Sequence, residues 1–231
     1  VEFLRRHCWF DGRLLAVHKD GRSRFPAYLD DHAFLGWGLL ELLQARWHGP
    51  WLAWSIELAE SLLRHFEDRA AGGFFFTADD HEALMLRPKT FGDDATPAGN
   101  GVAARLLLRL GYLLAEPRYL DAAERTLRAG WSLLERYPHA HTSLLMALDE
   151  LTEPPTIVVL RGADDVLAVW RTELDKLYDP RRMVVAIPAG VTDLPASLAD
   201  KRAGTGTIAY ICRGTTCSAP LTTLGELARA L

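Results

Sequence analysis

Apolar residues recur every three or four positions through roughly the first two-thirds of the chain, the spacing of helices that bury one face. Phe34, Leu35, Leu39, Leu42 and Leu43 mark a helix from Leu29 to Trp47, which Gly49-Pro50 breaks. Leu52, Ile56, Ala59, Leu62, Leu63 and Phe66 mark the next, from Trp51 to Phe66. A third runs from Ala98 to Leu114, Glu116-Pro117 turns the chain, and a fourth runs from Arg118 to Arg136. Pro138 opens a fifth, reaching about Leu151. Between the second and third, Ala71-Gly-Gly-Phe-Phe-Phe-Thr77 lacks the helical period and predicts a short extended hairpin running to Leu86.

After Pro154-Pro155 the pattern changes. Thr156-Ile-Val-Val-Leu160, Met183-Val-Val-Ala-Ile187 and Thr207-Ile-Ala-Tyr-Ile211 are β-branched, apolar runs that read as buried strands. Asp164 to Tyr178 reads as an amphipathic helix, and Leu224 to Leu231 as a closing one. An offset of 68 residues lays Leu39-Leu40 on Leu107-Leu108, Leu42 on Leu110 and Trp51-Leu52 on Tyr119-Leu120. A helix pair cannot bury both its faces alone, so repeated pairs stack side by side. A curved stack of this kind builds an α/α toroid, with parallel inner helices and returning outer ones. The expected fold is therefore mainly α: a partial α/α toroid of stacked helical hairpins over residues 1–153, then a small α/β appendage over 154–231.

The 231 residues carry a net charge of −4 with both signs interspersed, which excludes a basic nucleic-acid footprint. No apolar run approaches the ~20 residues of a membrane span. The start, Val1-Glu-Phe-Leu-Arg-Arg-His7, has neither an initiator Met nor the apolar stretch of a signal peptide, and it reads as the interior of a helix in a longer chain. Three cysteines, an odd number, argue against a disulfide scaffold and for a reducing, cytoplasmic setting. Cys212-Arg-Gly-Thr-Thr-Cys217 has the wrong spacing for a thioredoxin-type redox pair and no second pair for zinc, so it reads as two partly buried thiols beside a strand.

The densest chemistry lies in Thr90-Phe-Gly-Asp-Asp-Ala-Thr-Pro-Ala-Gly-Asn-Gly101, directly before the third helix. Glycine and Asn permit backbone conformations other residues resist, and adjacent carboxylates repel unless exposed, capped or used. If the first and third helices are both inner, Asp30-Asp31 and Asp93-Asp94 surround one mouth. Paired carboxylates are what glycoside cleavage requires, so Asp31 and Asp94, with Asp30 and Asp93, are the candidate catalytic groups. Asn100, Lys89, Arg87, His32, Trp37 and Phe75 are the candidate substrate-binding groups. Each has a plain alternative: Asp30 and Asp31 are good N-cap and first-turn residues, Phe74 to Phe76 can be core, and Arg87 and Lys89 can pair with Asp93 or Asp94. No metal or cofactor motif is present.

Three segments resemble one family: Asp30-Asp-His-Ala-Phe-Leu-Gly-Trp-Gly-Leu-Leu-Glu-Leu42, Gly72-Gly-Phe-Phe-Phe-Thr77, and Arg87-Pro-Lys with Asp93-Asp-Ala-Thr-Pro-Ala-Gly-Asn100. The tail Ala209-Tyr-Ile-Cys-Arg-Gly-Thr-Thr-Cys-Ser-Ala-Pro220 agrees as well. The family is that of the thioredoxin-domain proteins that include spermatogenesis-associated protein 20 and its bacterial relatives. The resemblance implies a thioredoxin-like domain preceding this region and an (α/α)6 toroid similar to N-acylglucosamine 2-epimerases. His32 departs from the aromatic residue that the resemblance implies after the Asp pair. The reading is then a toroid segment that binds or acts on a sugar or sugar-like polyol, by hydrolysis or epimerisation. The alternative is a non-catalytic interaction or regulatory scaffold attached to a redox domain. No nucleic-acid or membrane partner is expected. An open arc of helices is expected to self-associate, because it leaves apolar surface uncovered.

Overall fold

Gly36 brings two long helices together: a methyl group there would sit 2.6 Å from Leu106. The computed structural model describes residues 1–82 and 85–231, and the expected extended hairpin running to Leu86 falls partly outside them. Where the crossing is described, it carries only an isolated bridge, Glu67 to Phe74, and no paired strand. Glycines 72 and 73 both have positive φ, which turns the chain too sharply for a ladder.

The chain opens with helix α1 (Glu2–Cys8) and a small antiparallel sheet of β1 (Trp9–Phe10), β2 (Arg13–Lys19) and β3 (Arg22–Pro26). Both turns are Asp-Gly pairs, Asp11-Gly12 and Asp20-Gly21, with positive φ at all four residues. That is the two-residue hairpin turn whose twist matches the flanking strands. Helices α2 (Leu29–Ala45) and α3 (Gly49–Ser61) follow, and α3 continues as a π-turn through Leu62–Phe66. After the crossing come α4 (Gly99–Leu114), α5 (Pro117–Arg136), a single 3-10 turn (Pro138–Ala140) and α6 (Thr142–Thr152).

Contacts along the helices fix their directions. Leu29 and Asp30 abut Gly99, and Gly36 abuts Leu106, so α2 and α4 run parallel. Gly101 abuts Ser143 and Arg109 reaches Glu150, so α6 runs parallel to both. His32 meets Ser61, and the Ser55 hydroxyl donates to the Gly36 carbonyl, so α3 returns antiparallel. The helices thus form two layers, with α2, α4 and α6 in one and α3 and α5 in the other. Almost every residue of the central α4 is buried, as a helix flanked on all sides requires.

The second part holds β4 (Thr156–Gly162), α7 (Asp164–Asp175), β5 (Arg182–Pro188), the short α8 (Ala196–Ala199), β6 (Ile208–Arg213), β7 (Thr216–Cys217) and α9 (Leu224–Ala230). The sheet order is β5-β4-β6-β7, with β4 parallel to β5 and antiparallel to β6. Alternation divides its faces. Ile157, Val159, Met183 and Val185 join the helical core, while Val158, Leu160, Ala209 and Ile211 pack under α7 and α9. Burial on both faces explains the unbroken apolar run in β4. The sheet sits at the C-terminal ends of the layered helices, where Gln44 accepts from the Val184 amide and Ser197 donates to the Leu113 carbonyl.

The cysteine reading needs correction. Cys212 and Cys217 form a disulfide. The tight turn between β6 and β7 makes them direct cross-strand neighbours, 4.0 Å apart at Cα, so four intervening residues place the sulfurs together rather than apart. Cys8 is a buried free thiol. Among the described residues, no helix is long and apolar enough to cross a membrane.

Candidate functional site

The parallel α2 and α4 bring Asp30 and Asp94 to one end of the helical layers. Both line a cleft of about 150 Å³, together with Phe76, Thr90, Pro97 and Gly99. That is smaller than the ~300–1,000 Å³ of ordinary small-molecule sites. Asp30 is half-buried at the start of α2 and accepts from the Gly99 amide. Burial and the neighbouring Asp31 push its carboxyl above the usual range, and the Gly99 bond only partly opposes them. Asp94 is exposed, and its own amide donates to the Thr96 carbonyl at 3.1 Å.

The other two acids are engaged by the backbone. Asp31 accepts from the Tyr28 amide at 2.8 Å, which satisfies one of the orphan donors at a helix start. Asp93 accepts the Ala98 and Ser143 amides at 2.8 Å each, the Thr142 hydroxyl at 2.6 Å, and the Ser143 hydroxyl. It thereby ties the starts of α4 and α6 together. Burial alone would raise its carboxyl, but these four donors overcome that and hold it at about 2.

The expected binding residues divide similarly. Asn100 is fully buried, and its amide clips the crossing. Its Oδ1 accepts from the Phe74 amide at 2.7 Å, and its Nδ2 donates to the Phe74 and Thr90 carbonyls at 2.9 Å each. Lys89 donates to Asp68 and to the Gly72 carbonyl, not to Asp93 or Asp94. Arg87 donates to the Thr77 and His65 carbonyls and lies 4.3 Å from the Phe75 ring centre. Phe75 is therefore covered by cations, while Phe76 stacks on Tyr28 at 4.7 Å.

His32 is buried between α2 and α3. Its Nδ1 faces the Tyr28 carbonyl at 2.9 Å, so that nitrogen carries the proton, and Nε2 faces the Ser61 hydroxyl at 3.3 Å. Burial depresses this imidazole to about 4. A serine beside a histidine resembles a nucleophile and its base, but so weak and enclosed a base serves as a hydrogen-bond relay between helices.

Trp37 lies away from the cleft. It stacks against Arg105 at 4.2 Å and Arg109 at 4.6 Å. Both arginines converge on Glu150, whose Oε1 accepts from each at 2.8 Å, and Arg109 also approaches Glu41. This cluster joins α2, α4 and α6, and the sequence reading missed it. Its visible signal was two arginines four residues apart inside an otherwise apolar helix.

Among the described residues, one group could present ligand atoms to a cation: His65, Asp79 and Asp80, within 4.8 Å of one another. His65 already bonds Asp79, and the Arg13 guanidinium lies 2.7 Å from Asp80, which opposes a cation there.

No family model matches the chain. Its relatives supply the comparison. The chain is similar over its whole length to the C-terminal part of spermatogenesis-associated protein 20. Identity to the human protein is 29% over 251 aligned residues, and to the mouse protein 28%. An uncharacterized protein of Caenorhabditis elegans is 27% identical over 90% of the chain. The chain spans 32% of the length of human spermatogenesis-associated protein 20. Side chains of the Asp93–Gly101 loop hold the crossing and α6 in place.

Proposed function

We propose that this chain is a non-catalytic interaction scaffold within a longer protein, its two helical layers forming an arc of an α/α toroid and its α/β part closing one end of that arc. One observation carries the reading: Asp31 and Asn100 direct their hydrogen bonds to backbone groups, Asp93 is taken up by two amides and two hydroxyls at the starts of α4 and α6, and Lys89 is engaged by the crossing. Groups so engaged stabilise architecture rather than a transition state. The parallel run of α2, α4 and α6 supports the toroid arc.

The decisive measurement is calorimetric titration of the chain with a panel of monosaccharides and polyols. No saturable heat is expected. Asn100→Ala is expected to cost about 2–4 kcal/mol of stability, because it orphans the buried amide and carbonyl of Phe74 and releases the part-buried Thr90 carbonyl. An Asn100→Ala protein of unchanged stability would overturn the architectural role.

A second reading rests on Asp30 and Asp94. These are the two carboxylates that share the cleft, and Asp30 is held toward its protonated form as a general acid would be. It is a sugar or polyol site with Asp30 as acid and Asp94 as base. Saturable sugar binding that Asp30→Asn or Asp94→Asn removes would favour it over the scaffold.

A further inference from the structure

The N-terminal sheet carries positive charge that the rest of the molecule lacks. Residues 1–26 hold six basic and three acidic side chains, a net +3, whereas residues 27–231 hold twenty and twenty-seven, a net −7. Strand alternation divides the faces of this sheet. Trp9, Leu14 and Ala16 turn inward and pack with Trp54 and Leu58. Phe10, Val17, Lys19, Arg22 and Arg24 share the opposite face and are exposed.

Three observations define what this surface would take. First, it sets like charges together. Lys19 and Arg22 are direct cross-strand partners, an arrangement that weakens a hairpin. Arg5 and Arg13 are bound to Glu57 and Asp80, but Lys19, Arg22 and Arg24 form no ion pair among the described residues. An anionic occupant would relieve the repulsion. Second, β3 is an edge strand. The order is β1-β2-β3, and beyond the ladder to β2 no backbone bond reaches Arg22–Pro26 among the described residues. Its outward amides and carbonyls are a template for one more strand. Third, Phe25 has a φ of 63°, which is costly for a bulky side chain, and its ring is 63% exposed where alternation would turn it inward beside Ser23. Neither the backbone strain nor the exposed ring helps this chain to fold.

We propose that β3 is a docking edge for an acidic, extended segment of a protein partner, which adds a fourth strand to this sheet. Main-chain bonds along an open edge supply affinity, and alternate side chains supply specificity. Carboxylates at every second position of the incoming segment stand beside Arg22 and Arg24, and the intervening positions fall on the Phe25 side of the strand. A membrane or a nucleic acid makes no use of an open backbone edge, and would extend over a body of net −7. A second copy of this chain would set like charges against one another across the two edges. The docking edge rests on the scaffold reading, but its test is separate: sugar binding at the acidic cleft would defeat that reading and leave a peptide titration unaffected.

The probe is a fluorescein-labelled nonapeptide of alternating glutamate and valine, titrated into the 231-residue chain and followed by anisotropy. The expected result is saturable binding that weakens as salt is raised, with a lysine–valine nonapeptide giving none. The glutamate peptide fully N-methylated on its backbone should not bind, because it cannot pair with an edge. Arg22→Glu combined with Arg24→Glu should weaken binding by about tenfold or more. The melting temperature of that variant should hold or rise, because Lys19 then faces a carboxylate. Absent binding, equal affinity of the methylated peptide, or full affinity in the double variant would overturn the proposal. So would phosphatidylserine vesicles or a single-stranded oligonucleotide that bound more tightly than the peptide.

Discussion

His32 and Asp93 make stability depend on pH in two separate windows. Both have folded-state values below their unfolded ones, about 4 against 6.5 for His32 and about 2 against 3.8 for Asp93. For each, the unfolded chain takes up a proton that the native state resists, so stability rises with pH. The His32 contribution is complete above pH 6.5 and is lost as pH falls toward 4. The Asp93 contribution is complete above about pH 4 and is lost toward pH 2. The near-complete burial of His32 makes its share up to about 3 kcal/mol. Urea midpoints at pH 7.5 and 4.5 should therefore differ, and His32→Gln should flatten that difference. An unchanged slope in the variant would assign the acid sensitivity elsewhere. At this scale the sequence revealed residue types but not their partners. Asp93 and Asn100 stood out because Gly, Asn and adjacent Asp are unusual before a helix. That a buried amide would clip Phe74 and Thr90 depends on a crossing whose path no local pattern encodes.

Among the elements, the long helices were legible because the 3.6-residue period recurs over many turns, and the strands after Pro155 because apolar β-branched runs are short and bounded. Boundaries moved by a few residues: the first long helix stops at Ala45, ahead of Trp47. The N-terminal sheet escaped notice although Asp11-Gly12 and Asp20-Gly21 are strong hairpin signals. Its strands alternate weakly and are mostly exposed, so hydrophobicity alone did not mark them. The cysteines were misread because spacing was weighed without the turn that brings them into register. The cluster joining three helices gives the element-scale prediction. Glu150→Gln leaves Arg105 and the buried Arg109 without their shared carboxylate, and should cost about 3–5 kcal/mol. Replacing the exposed Glu124, paired only with Arg128 on the surface of α5, should cost under about 1 kcal/mol. Equal effects in chemical denaturation would remove the bracing role of the cluster.

For the whole molecule, the layer of α2, α4 and α6 leaves large apolar side chains exposed. Phe34 is 36% exposed one turn from Trp37, and Met146 is 49% exposed beside Arg105. A helical layer with apolar side chains in water is expected to self-associate as concentration rises. Light scattering across the micromolar range should show a mass that grows with concentration and falls back in Phe34→Ser with Met146→Ser. A constant monomer would show that Trp37 and its arginines shield this face sufficiently.

The hydrophobic period by itself determined that paired helices precede a small mixed sheet, since periodicity is a local property of the chain. The 68-residue repeat, Leu39 onto Leu107, also foretold that α2 and α4 lie side by side in the same direction, because like sequences bury like faces. Only the tertiary structure decided which acids remain open to a ligand. Hydrogen bonds from Ser143 and Thr142 reach Asp93 across about fifty residues of chain, and the Gly99 amide reaches Asp30 across nearly seventy. Such partners are chosen by packing, and a carboxylate that caps a helix has the same one-letter code as one that faces a substrate.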